Sequence, residues 1–541
     1  MTLKNLASVI LTAGLLVAVA LPAAAQSSAV DAPAPLQSLD FGPFEADLAA
    51  LTDQRRDELD ELVIEASIAE LQSAMESGTL TSLELTSYYL DRMQRYDVDG
   101  LRSMLELNPE ALAIAADLDA ERAAGNVRGP LHGIPVSHKG NIGTADQMHT
   151  SAGAVALAES ISDRDSEVAA TLRKAGAVLI GKANLSEWAG LIYPAPETAG
   201  FSALGGFPVN PFDPALPVLG SSSGSAVGTS ANLIAASVGT ETAGSLIAPA
   251  SANGVVGMHP SLGLVSRDRV IPLTSQTDTP GPVARTVADA AAMLTAIAGV
   301  DEYDPATEDA AALSGVNFTS YLDSAALVGV RVGVVLPFDG SGADLPAEEL
   351  SAYYEIIGAG PAIAGLESAG AEVVPVFGGA FVQEQLTELI NNGLRLEFAE
   401  YIGEVDPDGP ISSIADVVAF NAEDPEVRAP FGQGLLPDAA ATSLTREEYD
   451  ALAAELRSEA RAYVDGLLVD TEVDILASRA NLFSSAYAVA GYPAITVPDG
   501  QLTDFSGLTI IGPYLSDGEL IGYAFAFEQA TQARMAPPVG R

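Results

Sequence analysis

Residues 220–245 read GSSSGSAVGTSANLIAASVGTETAGS, and the interpretation of the whole chain depends on this stretch. It contains seven serines among glycines, alanines and other small residues. Such a composition is compatible with a nucleophile turn, with a phosphate-binding loop or with a flexible Gly/Ser linker. The rest of the chain distinguishes the three.

Each of the three interpretations makes a demand on other residues. GSSSG, residues 220–224, matches the nucleophile elbow of α/β-hydrolases around Ser222, but that fold needs a later acid and histidine, and His259 follows too soon. A phosphate loop needs G-x-x-x-x-G-K-[ST], and no lysine occurs between residues 200 and 300. A linker is disfavoured because residues 230–250 are apolar and small, as in a packed interior helix and turn. We therefore expect the stretch to lie inside the protein.

A neutral lysine can also activate a serine, provided that burial lowers its pKa. Lys139 is a candidate, because it ends an apolar, strand-like run in GPLHGIPVSHKGNIGT, residues 129–144. A lysine in such a setting is also commonly a structural ion-pair partner. The residues around Lys139 alone leave both alternatives open.

Composition and charge exclude several classes of partner. The 541 residues include 25 Lys and Arg against 72 Asp and Glu, a net charge of −47. Nucleic acid and anionic membrane surfaces repel such a field. The chain has no cysteine, which excludes disulfides, thiolate metal sites and a cysteine nucleophile.

The N-terminus has the pattern of an export signal. MTLKNLASVILTAGLLVAVALPAAAQ has one lysine, a long apolar stretch and an A-x-A site before Gln26. We predict a signal peptide over residues 1–25, an exposed arm over 26–60 and one large domain over 61–541, in an exported protein that is periplasmic or extracellular. A retained membrane anchor is the alternative, because the apolar run is long.

Helical and strand patterns alternate along the domain. Thr81 and Glu84 are spaced as a capping box for a helix over TSLELTSYYLDRMQRYD. Short β-rich runs such as AVLIG, VRVGVVLPF, AEVVPV and AITVP are separated by helical stretches such as ADAAAMLTAIAG. This order predicts an α/β layered fold with one large mixed or parallel sheet.

Four motifs together resemble the amidase signature family of Ser-cisSer-Lys hydrolases: GPLHGIPVSHKGNIGT, GSSSGSA, GTETAGS and GVVGMHPSLGLVSRDRVIP. The resemblance extends from about residue 64 to the end, and NLSEWAG and FEQATQAR make it most similar to bacterial peptide amidases. It implies a single α/β domain with a large central mixed β-sheet covered by helices on both faces.

The resemblance also assigns the site. It implies that Ser245 is the nucleophile, that Ser221 is the cis-serine of the relay and that Lys139 is the base. Backbone N–H groups of Thr242, Ala243, Gly244 and Ser245 would form the oxyanion hole, and none of these residues is proline.

The implied activity is hydrolysis of linear carboxamides, including C-terminal peptide amides, with no cofactor and no metal. The four histidines show no compact metal-ligand spacing. Aryl or acyl amides, esters or carbamates are alternative substrates, and an amidotransferase-like or catalytically silenced protein is an alternative of another class. The expected partner is a small-molecule or peptide amide rather than nucleic acid or, after signal removal, a membrane.

Several positions depart from the family pattern. Gly140 replaces a usual aspartate after the lysine, and His138 replaces an apolar residue before it. Ala243, Ile247 and His259 stand where glycine or a polar residue, arginine and lysine are common. We expect these changes to affect substrate choice, rate or pH optimum. Residues 380–470 carry no ligand motif, and we expect them to form a helical cover over the site.

Overall fold

The computed structural model describes residues 33–337, 354, 358–378, 383–502 and 506–540. The signal peptide predicted for residues 1–25 lies outside this range. Among the described residues, no helix is both long enough and apolar enough to cross a membrane.

The described residues form a single sheet of eleven strands. The strands are β1 (Met104–Leu107), β2 (Pro135–Lys139), β3 (Val178–Ala183), β4 (Ala236–Glu241), β5 (Val256–His259), β6 (Thr279–Ala284), β7 (Arg331–Pro337), β8 (Glu372–Gly378), β9 (Ile475–Arg479), β10 (Ala494–Val497) and β11 (Leu508–Ile511). Their order across the sheet is β1-β3-β2-β4-β6-β5-β10-β11-β9-β7-β8. β2 is parallel to β3 and β4, β7 is parallel to β8 and β9, and the other pairs are antiparallel. The predicted mixed sheet is confirmed.

Helices cover both faces of the sheet. Because successive strand residues point to opposite faces, Val334 and Ile475 enter one buried cluster while Val335 and Leu476 enter the other. The helices are Glu45–Ala50, Asp53–Val63, Ile68–Glu76, Ser82–Tyr96, Ala111–Ala123, Glu167–Lys174, Ser223–Ser230, Ile247–Ala252, Val287–Ile297, Gly360–Ser368, Gln383–Val405, Ile414–Glu423, Pro425–Arg428, Leu436–Ala441, Arg446–Asp470, Ser484–Ala490 and Asp517–Thr531.

The helix Ser82–Tyr96 begins at the expected cap but with only half of the capping box. The Thr81 hydroxyl accepts a hydrogen bond from the Glu84 N–H at 3.1 Å. The Glu84 carboxylate does not return to the Thr81 backbone, because it accepts two hydrogen bonds from Arg55, at 2.7 and 2.9 Å. A charge-assisted pair with a distant arginine replaces the local bond.

The residues before position 64 are largely helical where they are described. The helices Glu45–Ala50 and Asp53–Val63 bury Phe44, Leu48 and Leu59 against the domain. The boundary predicted at residue 60 falls inside the second helix, and the division into arm and domain stays a prediction.

The parallel strands β2 and β4 bring the two halves of the site together. They are neighbours in the sheet, with His138 opposite Val238. The carboxyl ends of parallel strands open at the same edge of a sheet. Lys139 ends β2 and Glu241 ends β4, so the lysine lies beside the turn that follows β4.

Candidate functional site

Lys139 is fully buried at the end of β2, and its amine contacts two other segments. Nζ lies 2.7 Å from the Ser221 Oγ, 3.1 Å from the Thr240 carbonyl oxygen and 3.0 Å from the Thr240 hydroxyl. Asn141 also donates to the Thr240 hydroxyl, at 3.0 Å. None of these partners is a carboxylate, so Lys139 is not the ion-pair partner that its sequence context left open.

The surroundings of Lys139 favour its neutral form. Burial lowers the pKa of Lys139 from its ordinary value of 10.5 to about 7, although the Asp278 and Glu241 carboxylates oppose the shift. An amine with a pKa near 7 is unprotonated in about half of the molecules at neutral pH. Lys139 is therefore able to act as a base.

Ser221 follows a cis peptide bond, Gly220–Ser221, as the family resemblance implied. Its carbonyl oxygen accepts a hydrogen bond from the Ser186 N–H at 3.0 Å. The next residue, Ser222, directs its hydroxyl to the Thr240 carbonyl oxygen at 3.0 Å. Ser222 is thus a packing residue beside Lys139 and Ser221, which agrees with the rejection of a nucleophile elbow centred on it.

Ser245 ends the turn after β4 and is partly exposed. Its carbonyl oxygen accepts from the Ser222 N–H at 3.1 Å, which ties the turn to the Ser221 segment. Within the described ranges, the Ser245 hydroxyl makes no hydrogen bond. Gly244 has a φ of +90°, which favours glycine at that position.

A buried carboxylate that the sequence did not single out supports this turn. Glu241 accepts hydrogen bonds from the N–H groups of Leu246 at 2.7 Å and Ile247 at 3.1 Å. Its other oxygen accepts from the Tyr487 hydroxyl at 2.8 Å and lies 3.2 Å from Nδ1 of His259. Burial alone would raise the pKa of Glu241, but the adjacent His259 and the amides keep it below its usual value.

Asp278, in the motif DTPGP, holds the other side of the turn. It accepts a hydrogen bond from the Thr242 hydroxyl at 2.6 Å and from the N–H groups of Leu273 and Thr274 at 2.8 and 3.0 Å. Burial raises the pKa of Asp278 to about 6. Only an aspartate so close to DTPGP, without a visible partner in the sequence, could have signalled this role.

A cleft of about 130 Å³ opens over these residues. Ser221 and Ser245 both line it, together with Thr242, Ala243 and Gly244 of the predicted oxyanion hole. The other walls are mostly apolar and come from distant segments: Ala189, Gly190, Leu191, Tyr193, Pro194, Ala195, Pro196, Ala199, Leu219, Ala248, Leu273, Leu386, Thr387, Ile390, with Ser186, Gly220 and Asn481.

Part of the 380–470 segment covers the cleft, as expected. The helix Gln383–Val405 contributes Leu386 and Ile390 to its lining. Trp188 is buried below the same helix, with its ring edge on Phe398 at a centroid distance of 5.1 Å. The helix thus forms one side of the space above Ser245.

The departures from the family pattern have local explanations. A side chain at Gly140 would meet Leu105 at 2.7 Å, so packing excludes the usual aspartate, and Thr240 and Asn141 contact the lysine network instead. Ile247 is buried in the core. His259 lies beside Glu241, and burial holds the pKa of His138 well below its usual value.

No group of three or more His, Asp or Glu side chains in the described part of the chain is arranged to hold a metal ion. Two of the histidines have other partners. Nε2 of His132 lies 3.0 Å from the Leu118 carbonyl oxygen, and Nδ1 of His149 lies 2.9 Å from Glu106.

Comparison with known proteins points to one family. A family model described as Amidase matches residues 84–482. A protein of Arabidopsis thaliana named as a probable amidase is 36% identical over 481 residues, which cover 87% of this chain and 91% of that protein. The catalogued glutamyl-tRNA(Gln) amidotransferase chain of Salinispora tropica is 32% identical, over 85% of this chain and 96% of its own length.

The fold has a similar neighbour among solved structures. The native peptide amidase from Stenotrophomonas maltophilia superposes with a TM-score of 0.80 at 39% identity, covering 88% of this chain and 99% of that one. The similarity therefore extends over nearly the whole of the known enzyme.

Proposed function

The chain belongs to the amidase signature family and is an amidase, and from this premise we propose that it hydrolyses linear carboxamides through an acyl-enzyme at Ser245. One observation carries the proposal. The buried amine of Lys139 lies 2.7 Å from the Ser221 Oγ, and Ser221 lines the same cleft as Ser245.

The first half of the reaction is a proton relay. Neutral Lys139 takes the proton of the Ser221 hydroxyl, and Ser221 takes the proton of Ser245. The Ser245 oxygen attacks the amide carbonyl carbon. The pKa of about 7 for Lys139 supports this direction of transfer near neutral pH. The contacts to Thr240 keep the amine aimed at Ser221.

The tetrahedral intermediate carries a negative oxygen, which the backbone N–H groups of the turn 242–245 would stabilise. The hydrogen bonds from Thr242 to Asp278 and from the Leu246 amide to Glu241 hold this turn from two sides. Such preorganisation matters because a donor that is already oriented costs no reorganisation during the reaction.

The second half returns the proton and releases the acyl group. The C–N bond breaks as the proton held by Lys139 passes back through Ser221 to the leaving nitrogen. A water molecule then gives up a proton along the same relay and attacks the acyl carbon. The products are a carboxylic acid and ammonia or an amine, and the Ser245 hydroxyl is restored.

Peptides with a C-terminal carboxamide are the proposed substrate class. The similarity to the peptide amidase of Stenotrophomonas maltophilia, at 39% identity over 99% of that enzyme, supports this choice. The apolar cleft lining suits an acyl group with an apolar side chain. The similarity to an amidotransferase favours a transferase as a second candidate, but the net charge of −47 opposes work on RNA-bound substrates.

The test is hydrolysis by the purified chain beginning at Gln26. Ammonia or amine release is measured from amidated peptides, aryl amides and simple esters, for the native protein and for Ser245→Ala. The matched control is Ser225→Ala in the same segment, because that buried hydroxyl has no hydrogen-bond partner among the described residues.

Release from peptide amides that is lost in Ser245→Ala and kept in Ser225→Ala supports the proposal. Activity on aryl amides or esters alone would keep the nucleophile and reject the substrate class. Undiminished activity of Ser245→Ala would reject the nucleophile.

We also propose that the protein is exported and that residues 1–25 are removed. The support is the charged, apolar and A-x-A order of the N-terminus. N-terminal sequencing of protein recovered outside the cytoplasm should begin at Gln26. A mature chain that keeps its first residues and stays with the membrane fraction would instead support the anchor.

A further inference from the structure

A second cleft lies behind the turn 242–245 and is larger than the first. Its volume is about 560 Å³. The helix Gln383–Val405 runs between the two clefts, with Leu386 and Ile390 in the first and Glu397, Glu400 and Glu404 in the second. Asp278 lines the second cleft while it holds Thr242 of the first.

Two arginines face the second cleft without a carboxylate partner. Arg457 and Arg461 are one turn apart on the helix Arg446–Asp470, so they present neighbouring guanidinium groups. Arg457 donates to the Gln276 carbonyl oxygen at 2.7 Å and side-chain oxygen at 3.1 Å, and Arg461 donates to the Ala490 carbonyl oxygen at 2.8 Å. In the part of the chain that the structure describes, neither forms an ion pair.

The positive charge at this point is not dispersed. Burial lowers the pKa of Arg457, and the nearby charges of Arg461 and Arg267 lower it further. The Nε of Arg457 is buried with no hydrogen-bond partner in the described residues. Like charges held together in a chain of net charge −47 indicate a local preference for an anion.

The acidic residues of the cleft are mostly engaged elsewhere. Each of three arginines of the lining binds an acid: Arg267 with Asp304 at 2.5 Å, Arg269 with Glu404 at 2.7 Å and Arg446 with Glu400 at 2.6 Å. Two further acids accept other hydrogen bonds: Glu397 from Ser275 and Tyr449, and Asp278 from the turn residues given above. Asp268 pairs with Arg164.

One acid, Asp309, is exposed at the rim and faces both Arg457 and Tyr514. It reduces the positive potential at the mouth of the cleft but does not form an ion pair with Arg457 or Arg461 within the described ranges. The inner part of the cleft keeps its two available guanidinium groups.

The remaining walls suit an organic body. Leu262, Val270 and Pro272 provide apolar surface, and Tyr514 lies under Arg461 with 4.9 Å between the guanidinium carbon and the ring centre. A volume of about 560 Å³ lies within the usual range for small-molecule sites and far exceeds what an inorganic anion needs.

We propose that the second cleft is a binding site for an organic carboxylate, held by the guanidinium groups of Arg457 and Arg461. The planar fork of a guanidinium matches a carboxylate with two parallel hydrogen bonds. The apolar and aromatic walls contact the body of the ligand. The site is separate from Ser245 and needs no turnover to be occupied.

Calorimetric titration with phenylacetate tests this site, using the full mature protein that carries Ser245→Ala. Arg457→Gln/Arg461→Gln should weaken binding by at least about tenfold per arginine removed. Arg446→Gln is the matched control, because Arg446 lines the same cleft but is paired with Glu400. Arg461→Lys keeps the charge without the fork and should give an intermediate affinity with unchanged thermal unfolding.

Phenylacetate binding that is equal in the double variant, or absent from the parent up to about 10 mM, would overturn the proposal. Sulfate binding with the same affinity and the same dependence on the two arginines would also overturn it, because the site would then select a charge and not an organic carboxylate.

Discussion

The proposed relay requires that Lys139 be unprotonated, and this makes the pH dependence of the activity a quantitative test. Burial lowers the pKa of Lys139 to about 7. The neutral fraction is then about 10% at pH 6 and about 90% at pH 8, so kcat/KM should rise nearly tenfold between them. A lysine with an ordinary pKa would be neutral in about one molecule in three thousand at pH 7.

The assay is release of ammonia from an amidated peptide, followed at constant ionic strength from pH 5 to pH 10. A rise with a midpoint near pH 7 and a plateau above it is the expected result. A rise that continues to pH 10, or a rate that does not change with pH, would refute the assignment of Lys139 as the base.

Asp278 provides an internal control for the origin of the midpoint. Its carboxylate raises the pKa of Lys139 against the effect of burial. Asp278→Asn removes this charge, so the midpoint should move to lower pH even if the maximal rate falls through the lost support of Thr242. A midpoint that moves to higher pH would contradict the electrostatic explanation.

Three further changes have expected outcomes. Since the folded-state pKa of Lys139 is below its unfolded value, stability rises with pH between about 7 and 10.5; in urea denaturation, the native protein should gain about 2.5 kcal/mol over Lys139→Met between pH 7.5 and 9.5, and no gain would show an unshifted pKa. Tyr487→Phe removes a donor to buried Glu241 and should lower the free energy of unfolding by about 1–3 kcal/mol together with kcat; unchanged values in both assays would contradict the support of the turn. Gly244→Ala should lower kcat with folding retained by circular dichroism, because its φ is +90° and its Cβ would lie 2.9 Å from Asn481; full activity would show that the turn tolerates a side chain.

Local patterns in the sequence were reliable where the structure depends on neighbouring residues. The β-rich runs around residues 178, 332, 373 and 495 are strands, and the helix after Thr81 begins at its predicted cap. The capping box was half wrong, because the Glu84 carboxylate pairs with Arg55, which lies 29 positions away. A distant partner of this kind leaves no mark on the local pattern.

The sequence by itself determined the family, the α/β class and the positions of Lys139, Ser221 and Ser245, because these residues stand in short motifs whose spacing is visible along the chain. Only the tertiary structure decided what surrounds them. Glu241 meets Tyr487 across 246 positions, and burial rather than any neighbour in the sequence lowers the pKa of Lys139. The second cleft likewise combines loops and two long helices. Burial and contacts between remote segments arise only when the sheet brings those segments together.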